Sequence, residues 1–224
     1  MKKLDKIKDL FNKLLDYIYK KKCYVCRSSR ESVALCTKCY DELTHNSYTL
    51  NRAIDGVRVY SAGVYDKSLQ KIIRGLKYHH KKELGFYIAK FMWEYFEELI
   101  PKEGLAVDFQ VVPVPLHKAR EKKRGYNHME IVAEEFCKLS GYEPNFGLIK
   151  RVKNTKPQYK LSRTEKIENL RDAFRADETN IPKEPVLIID DICTSGATMD
   201  SMIKELKRAG VKEIVCLSAS SPIY

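Results

Sequence analysis

Thirteen residues of this 224-residue chain hold its densest chemistry: Val186-Leu-Ile-Ile-Asp190-Asp191-Ile-Cys-Thr194-Ser195-Gly196-Ala197-Thr198. An apolar strand runs into two adjacent carboxylates and then into a small, hydroxyl-rich loop that opens a helix. Ligands of open α/β sheets bind at the carboxyl ends of strands. A helix start offers unpaired N–H groups and a positive dipole end, which suit a phosphate. Thr194, Ser195 and Thr198 add hydroxyls, Gly196 lets the backbone come close, and Ala197 belongs to the same candidate cradle. Two carboxylates beside such a cradle would repel the phosphate. They suit the vicinal hydroxyls of a ribose, helped by a divalent cation. A sugar with a 5′-phosphate and free 2′ and 3′ hydroxyls fits this layout.

The second constellation is Cys23-x2-Cys26-x9-Cys36-x2-Cys39. Each Cys-x-x-Cys puts two sulfurs on one tight turn, and two such turns complete a tetrahedron around a soft divalent ion. Zinc is expected over iron, because nothing else here points to redox chemistry. With four protein ligands the site is closed and structural. The intervening loop is too short to bury a core, so metal binding would supply much of the folding energy. Cys137, Cys193 and Cys216 are scattered through apolar segments. An odd total of seven cysteines suits a reducing compartment better than a disulfide framework.

Elements must position these groups. Leu4, Ile7, Leu10, Phe11, Leu14, Leu15 and Ile18 form one apolar stripe, predicting an amphipathic helix within residues 1–22. That segment carries +5 and no continuous apolar run, so no signal peptide is expected and the chain reads as cytoplasmic. Its basic helix packs on its own protein or, alternatively, lies at the inner face of the cytoplasmic membrane. Residues 23–45 form the cysteine module, and 46–224 the main domain. There, 57–65 reads as strands around a Gly turn, and helices are expected over 67–78 and 84–100, with a break at Pro101–Gly104. Strands at Phe109–Val114, Phe146–Val152, Val186–Ile189 and Glu213–Ala219 alternate with helices at 127–139 and 197–209, and 162–173 reads as loop or short helix. The runs VLII and IVCL suit strands buried on both faces of a parallel sheet with helices on either side. The apolar runs are too short for a membrane-spanning helix.

The net charge of +11 is uneven. Residues 66–82 hold six basic and one acidic residue, 117–124 five and one, and 150–166 seven and one, whereas 181–224 is −1. The three basic runs coincide with loops expected near the ligand and would draw in anions. Tyr78, Tyr87, Tyr126 and Tyr159 are interleaved with them. Aromatic rings beside a cationic groove suit single-stranded nucleic acid. Lys153, Lys156, Lys160 and Arg163 are the candidate DNA contacts.

The segment from Val186 to Thr198 resembles the signature of type I phosphoribosyltransferases, with Cys193 where an aliphatic residue is usual. Val112-Pro-Val-Pro115, Arg120 to Asn127, Leu76-Lys77-Tyr78, the spacing Arg151…Thr155…Gln158…Leu161-Ser162, and Asn169 with Ala173-Phe174 resemble the ComF family. That family's members carry the four-cysteine module too. The resemblance implies a type I phosphoribosyltransferase fold plus a small N-terminal zinc module. It implies 5-phosphoribosyl-1-pyrophosphate (PRPP) and magnesium as ligands, with Asp190 and Asp191 in the catalytic place. Val114, Pro115, Arg124 and Gly125 would meet the pyrophosphate, and residues 151–162 would form a hood. It also implies a role in DNA uptake during natural transformation, beside a helicase-like motor and a membrane DNA channel. Two functions compete: a PRPP-binding protein that handles single-stranded DNA, and a phosphoribosyltransferase acting on an unidentified acceptor. Fold alone does not choose between them.

Overall fold

A computed structural model describes residues 21–45, 51–155, 165 and 169–222. The predicted helix within 1–22 and the DNA candidates Lys156, Lys160 and Arg163 lie outside them.

The chain opens with the cysteine turns and helix α1 (Thr37–His45). Strands β1 (Arg52–Ile54) and β2 (Val57–Ser61) follow as a hairpin. Its two-residue loop, Asp55-Gly56, has φ of 49° and 74°. Positive φ at both positions matches the right-handed twist of the flanking strands. The turn therefore falls at Gly56 and not at Gly63, and β1 extends the sheet beyond the expected start.

Helix α2 (Lys67–Tyr78) begins where the Asp66 carboxylate accepts the Leu69 N–H at 2.9 Å. Leu69, Ile72, Ile73 and Leu76 recur at helical spacing and are buried. Helix α3 (Leu84–Glu103) runs through Pro101 and ends at Gly104, φ 60°. Proline this late removes a single intrahelical bond, so the helix stops at the left-handed glycine and not at the proline. Strand β3 (Gln110–Pro113) leads to the short helix α4 (Lys118–Arg124), where only a loop was expected. Helix α5 (His128–Ser140) is capped by Asn127, whose side chain accepts the Met129 N–H at 3.0 Å. Then come β4 (Glu143–Pro144), β5 (Ile149–Arg151), β6 (Phe174–Ala176), β7 (Val186–Ile192), helix α6 (Ala197–Ala209) and β8 (Ile214–Ser220).

The main sheet has the order β1-β2-β8-β7-β3-β4. All its pairings are parallel except that of the edge strand β1 with β2. The expected parallel sheet is thus a mostly parallel one with an antiparallel rim. The predicted strand over 146–152 is only in part a strand, and it lies elsewhere: β5 pairs antiparallel with β6 in a separate two-stranded sheet. Helices cover both faces. Leu69, Ile88, Phe96 and Phe136 build the core on the α2, α3 and α5 side, and Met202, Ile203 and Leu206 of α6 pack with β5 and β6 on the other. Leu187 and Ile189 face the first core, Val186 and Ile188 the second. This is the alternation that a strand buried on both faces requires. The cysteine module shares the first core through Tyr24, Leu35, Tyr40 and Leu43.

Candidate functional site

Pro113 of β3 lies opposite Ile189 of β7, and Asp190 opposite Ser218 of β8. The carboxyl ends of three parallel strands therefore meet at one edge, where Val114-Pro115 and Asp190-Asp191 stand side by side. The Val114 N–H donates to the Ile189 carbonyl at 3.0 Å. Ser220 and Ser221 brace the β7 end, their hydroxyls donating to the Asp191 and Cys193 carbonyls at 3.0 and 2.8 Å.

Strand alternation sends the two carboxylates to opposite faces. Asp191 is buried and meets the ammonium of Lys77 at 2.7 Å, while His128 Nε2 also contacts its Oδ2. Burial would raise the Asp191 carboxyl. The neighbouring Lys77 charge and His128 outweigh that and hold it well below the usual carboxylate range. Burial lowers His128 to about 4, so at neutral pH it is an uncharged imidazole whose Nε2–H donates to Asp191. Its Nδ1 then accepts from Arg124 Nη1 at 2.6 Å. Buried His128 and Asp191 link half-buried Arg124 and Lys77 in one chain of contacts running from the α4–α5 corner to α2. Asp190 has no ion pair among the described residues, and its Oδ1 accepts only the Asp191 N–H at 2.8 Å. Burial, then the Asp191 charge, raises it to about 7.

The loop after β7 is shaped by the hairpin. Arg52 of β1 donates to the Thr194 and Cys193 carbonyls at 2.9 and 3.0 Å. Gly196 has φ 79°, and a Cβ there would lie 2.4 Å from Ile54 Cδ1. Glycine suits the left-handed backbone, and any Cβ there would also displace the Ile54 methyl end. Gly196 is the N-cap of α6 and supplies no side-chain cap. The start of α6 is thus a cradle of backbone N–H groups flanked by Thr194, Ser195, Ala197 and Thr198.

Across the edge, Gly125 ends α4 with φ 84°, turning the chain toward Asn127. From the hood side comes Arg151 at the end of β5, buried against the Phe174 ring. Its Nη2 and the side chain of Arg120 both reach Thr155, and its Nε has no partner among the described residues. Burial, then the Arg120 charge, lowers Arg151 to about 10. Lys153 is exposed and donates to the Arg171 carbonyl at 3.3 Å.

A family model described as phosphoribosyl transferase domain matches residues 122–219, the span from the Gly125 corner to β8. Competence protein F of Haemophilus influenzae is 25% identical over 198 residues, 86% of each chain. The DNA utilization protein YhgH of Salmonella typhimurium is 27% identical over 197 residues, with the same coverage. Competence protein ComFC of Streptococcus pneumoniae is 30% identical over 139 residues, 62% of this chain and 59% of that protein. Along most of its length the chain is similar to these competence and DNA utilization proteins. Its fold is that of the type I phosphoribosyltransferases, as the β7–Gly196–α6 unit and the mostly parallel sheet anticipate.

The cysteine module predicted from the sequence is also present in space. The sulfurs of Cys23, Cys26, Cys36 and Cys39 lie within 4.8 Å of one another, Cys26 and Cys36 at 3.6 Å. A tetrahedral site with metal–sulfur bonds of about 2.3 Å has edges of about 3.8 Å, so this cluster can hold a metal ion. The Cys36 N–H approaches the Cys23 sulfur at 3.5 Å, as expected where a backbone turn supports a thiolate. The module docks on the domain. Tyr40 donates to Glu94 at 2.6 Å, and Lys71 Nζ donates to the Val25 carbonyl at 2.7 Å.

The sequence reading assigned no role to Lys77, His128, Arg52 or Arg151. Lys77 sits inside the quoted Leu-Lys-Tyr motif, and Arg151 opens the hood motif. Arg52 has no sequence signal, because the β1–β2 hairpin that carries it was not anticipated. His128 follows Asn127 directly, where the reading of that corner ended. Among the described residues, no helix is long and apolar enough to cross a membrane.

Proposed function

We propose that this chain binds PRPP at the carboxyl edge of its sheet and serves in DNA uptake by handling single-stranded DNA. The observation that carries the PRPP reading is the unpaired carboxylate of Asp190 beside the Gly196 cradle. In this reading the 5′-phosphate occupies the N–H groups and hydroxyls of 194–198, and Asp190 accepts from the ribose hydroxyls. Asp191 acts from behind, its charge matched by Lys77 and its position held by His128. Val114, Pro115 and Gly125 line the path of the pyrophosphate, and Arg124 and Arg151 supply positive charge to it. Asp190 would help to hold a magnesium ion brought with the pyrophosphate, which would supply charge neutralisation there. Four cysteine sulfurs at tetrahedral spacing support zinc as the metal of the module. The DNA reading is supported by the relatives called competence and DNA utilization proteins, together with the basic composition.

Calorimetric titration with PRPP and magnesium tests the site. Asp190→Ala with Asp191→Ala should abolish the heat of binding, while a titration unchanged from the wild type overturns the assignment. A stronger loss from Asp190→Asn than from any single hydroxyl change in 194–198 is expected. A charge-assisted hydrogen bond is worth roughly 1.5–3 kcal/mol, tenfold or more in affinity. Pyrophosphate release on a panel of acceptors distinguishes transfer from binding alone.

A further inference from the structure

The basic run 66–82 does not all reach the PRPP edge. Lys77 turns inward to Asp191. Lys67, Lys71 and Arg74 recur at helical spacing on another face of α2, over about 10 Å of axis. They line a cleft of about 610 Å³ between α2 and the cysteine module, with Arg27, His79 and Lys81 on its other walls. Lys71 Nζ donates to the Val25 carbonyl and ties α2 to the cysteine module across the cleft. Arg27, Lys67, Arg74 and Lys81 are exposed and have no carboxylate partner among the described residues. No carboxylate lines the cleft either. Tyr24 closes its floor, sharing a hydrogen bond with His79 and carrying Arg27 over its ring at 5.6 Å. Next to His79, the Tyr78 ring is 62% exposed and lies 5.6 Å from Arg124 of the PRPP edge.

We propose that this cleft between the cysteine module and α2 is a binding site for single-stranded nucleic acid. Arg27, Lys67, Arg74 and Lys81 contact backbone phosphates, and Tyr78, next to the lining residue His79, stacks a base. Unpartnered cations along a concave track, ending on an exposed ring, are what a flexible phosphodiester chain needs. The exposed ring at the end of the cationic track suits an unpaired base, which a duplex does not offer. No exposed large apolar side chain lines the cleft to anchor in lipid. The inference rests on the reading that the chain handles single-stranded DNA. It places the contacts on α2 and the module and not on the hood lysines.

The test is fluorescence anisotropy of the full chain with a labelled oligothymidylate of about 20 nucleotides, across a salt series. Four contacts at about −0.7 each predict a log–log slope near −3. Lys67→Ala with Arg74→Ala and Lys81→Ala should make it shallower by about two units and weaken binding about a hundredfold at about 50 mM salt. The Arg-for-Lys version at 67 and 81, with Arg74 kept, should retain it. Tyr78→Ala should cost at least about fivefold and Tyr78→Phe little. Lys153→Ala with Lys156→Ala should move the slope by less than one unit. Wild-type binding that survives the triple change but is lost with the hood lysines overturns the cleft and leaves the DNA reading standing. A wild-type chain that binds no oligonucleotide at about 50 mM salt removes the DNA reading and the cleft with it. If that chain instead binds phosphatidylserine vesicles, and the triple variant does not, the cleft is a membrane site and the proposal is wrong. PRPP calorimetry on the triple variant should match the wild type, which shows that the cradle is intact.

Discussion

Replacing Lys77 by Met puts the buried Lys77–Asp191–His128 cluster under direct strain. The ammonium and the carboxylate are 2.7 Å apart, with side chains 17% and 7% exposed. At an effective dielectric constant of about 20, that separation corresponds to about 6 kcal/mol of attraction. Desolvation of both ions cancels part of it, so the pair itself adds little net stability. Removing one partner is different, because Asp191 is left buried with only the neutral His128 to hold it. We expect Lys77→Met to cost about 3–5 kcal/mol near neutral pH. Asp191→Asn in the same chain should restore much of that loss, since no uncompensated charge then remains. Trp93 is the single tryptophan and packs edge-on against Phe136 and Tyr142 at 5.6 and 5.7 Å, so its fluorescence in urea reports the core around this cluster. With a slope of about 2 kcal/mol per molar urea, the single change should move the midpoint by about 1.5–2.5 M. The deficit should narrow toward pH 4, as Asp191 in the variant takes up a proton and the buried charge disappears. A cost below about 1 kcal/mol, or single and double changes that simply add, would refute the clamp.

Elemental analysis should find one zinc per chain, and Cys36→Ser should lose it together with the docking of the module. His128 gives acid sensitivity of a definite sign: the unfolded imidazole takes its proton near 6.5 and the native one near 4. Stability should therefore fall by about 3 kcal/mol as pH drops through that window, and His128→Asn should flatten this part of the urea-midpoint profile. Gly196→Ala should weaken PRPP binding at least about tenfold in calorimetry, because its Cβ would lie 2.4 Å from Ile54 Cδ1 at φ 79°. Adding Ile54→Ala should recover part of that loss by removing the overlap while the backbone strain remains.

What the sequence showed follows from how local each signal is. The β7–loop–α6 unit was readable because strand, acids, hydroxyls and glycine are contiguous, so composition and geometry coincide from Val186 to Thr198. The cysteine cluster was readable for the same reason, as each pair lies on one turn. The β1–β2 hairpin was within reach and was missed: Asp55-Gly56 is a strong two-residue turn signal, but β1 is only three residues long and its apolar pattern is thin. The hood strand was misplaced because alternation marks a strand without naming its partner, and β5 pairs with β6 across a separation no pattern records. The partners of Asp191 were beyond sequence reading altogether. Lys77 and His128 lie 114 and 63 positions away and meet only because α2 and α5 pack on the same face of β7.

That packing changes the meaning of the acidic pair. On sequence the two aspartates are equivalent ligands for one ribose, and two full negative charges beside a phosphate and a pyrophosphate would oppose binding. In the fold the Lys77 ammonium cancels the Asp191 charge, and His128 accepts from Arg124 and donates to Asp191. Asp190 is left as the carboxylate available at the edge, pushed to about 7 by burial and by its neighbour. Against it stand Arg124, Arg151 and Arg120, with the dipole of α6 behind the cradle. The local balance is therefore positive despite the acidic signature. A highly charged anion that brings a divalent cation would tip Asp190 fully to its ionised form. PRPP affinity should then be coupled to proton release from this single group near neutral pH, and it should strengthen as pH rises from 6 to 8. Calorimetry in buffers of different ionisation enthalpy reads that proton directly, and Asp190→Asn should abolish it. An affinity that is flat in pH, with no proton released, would mean that Asp190 is already ionised in the free protein.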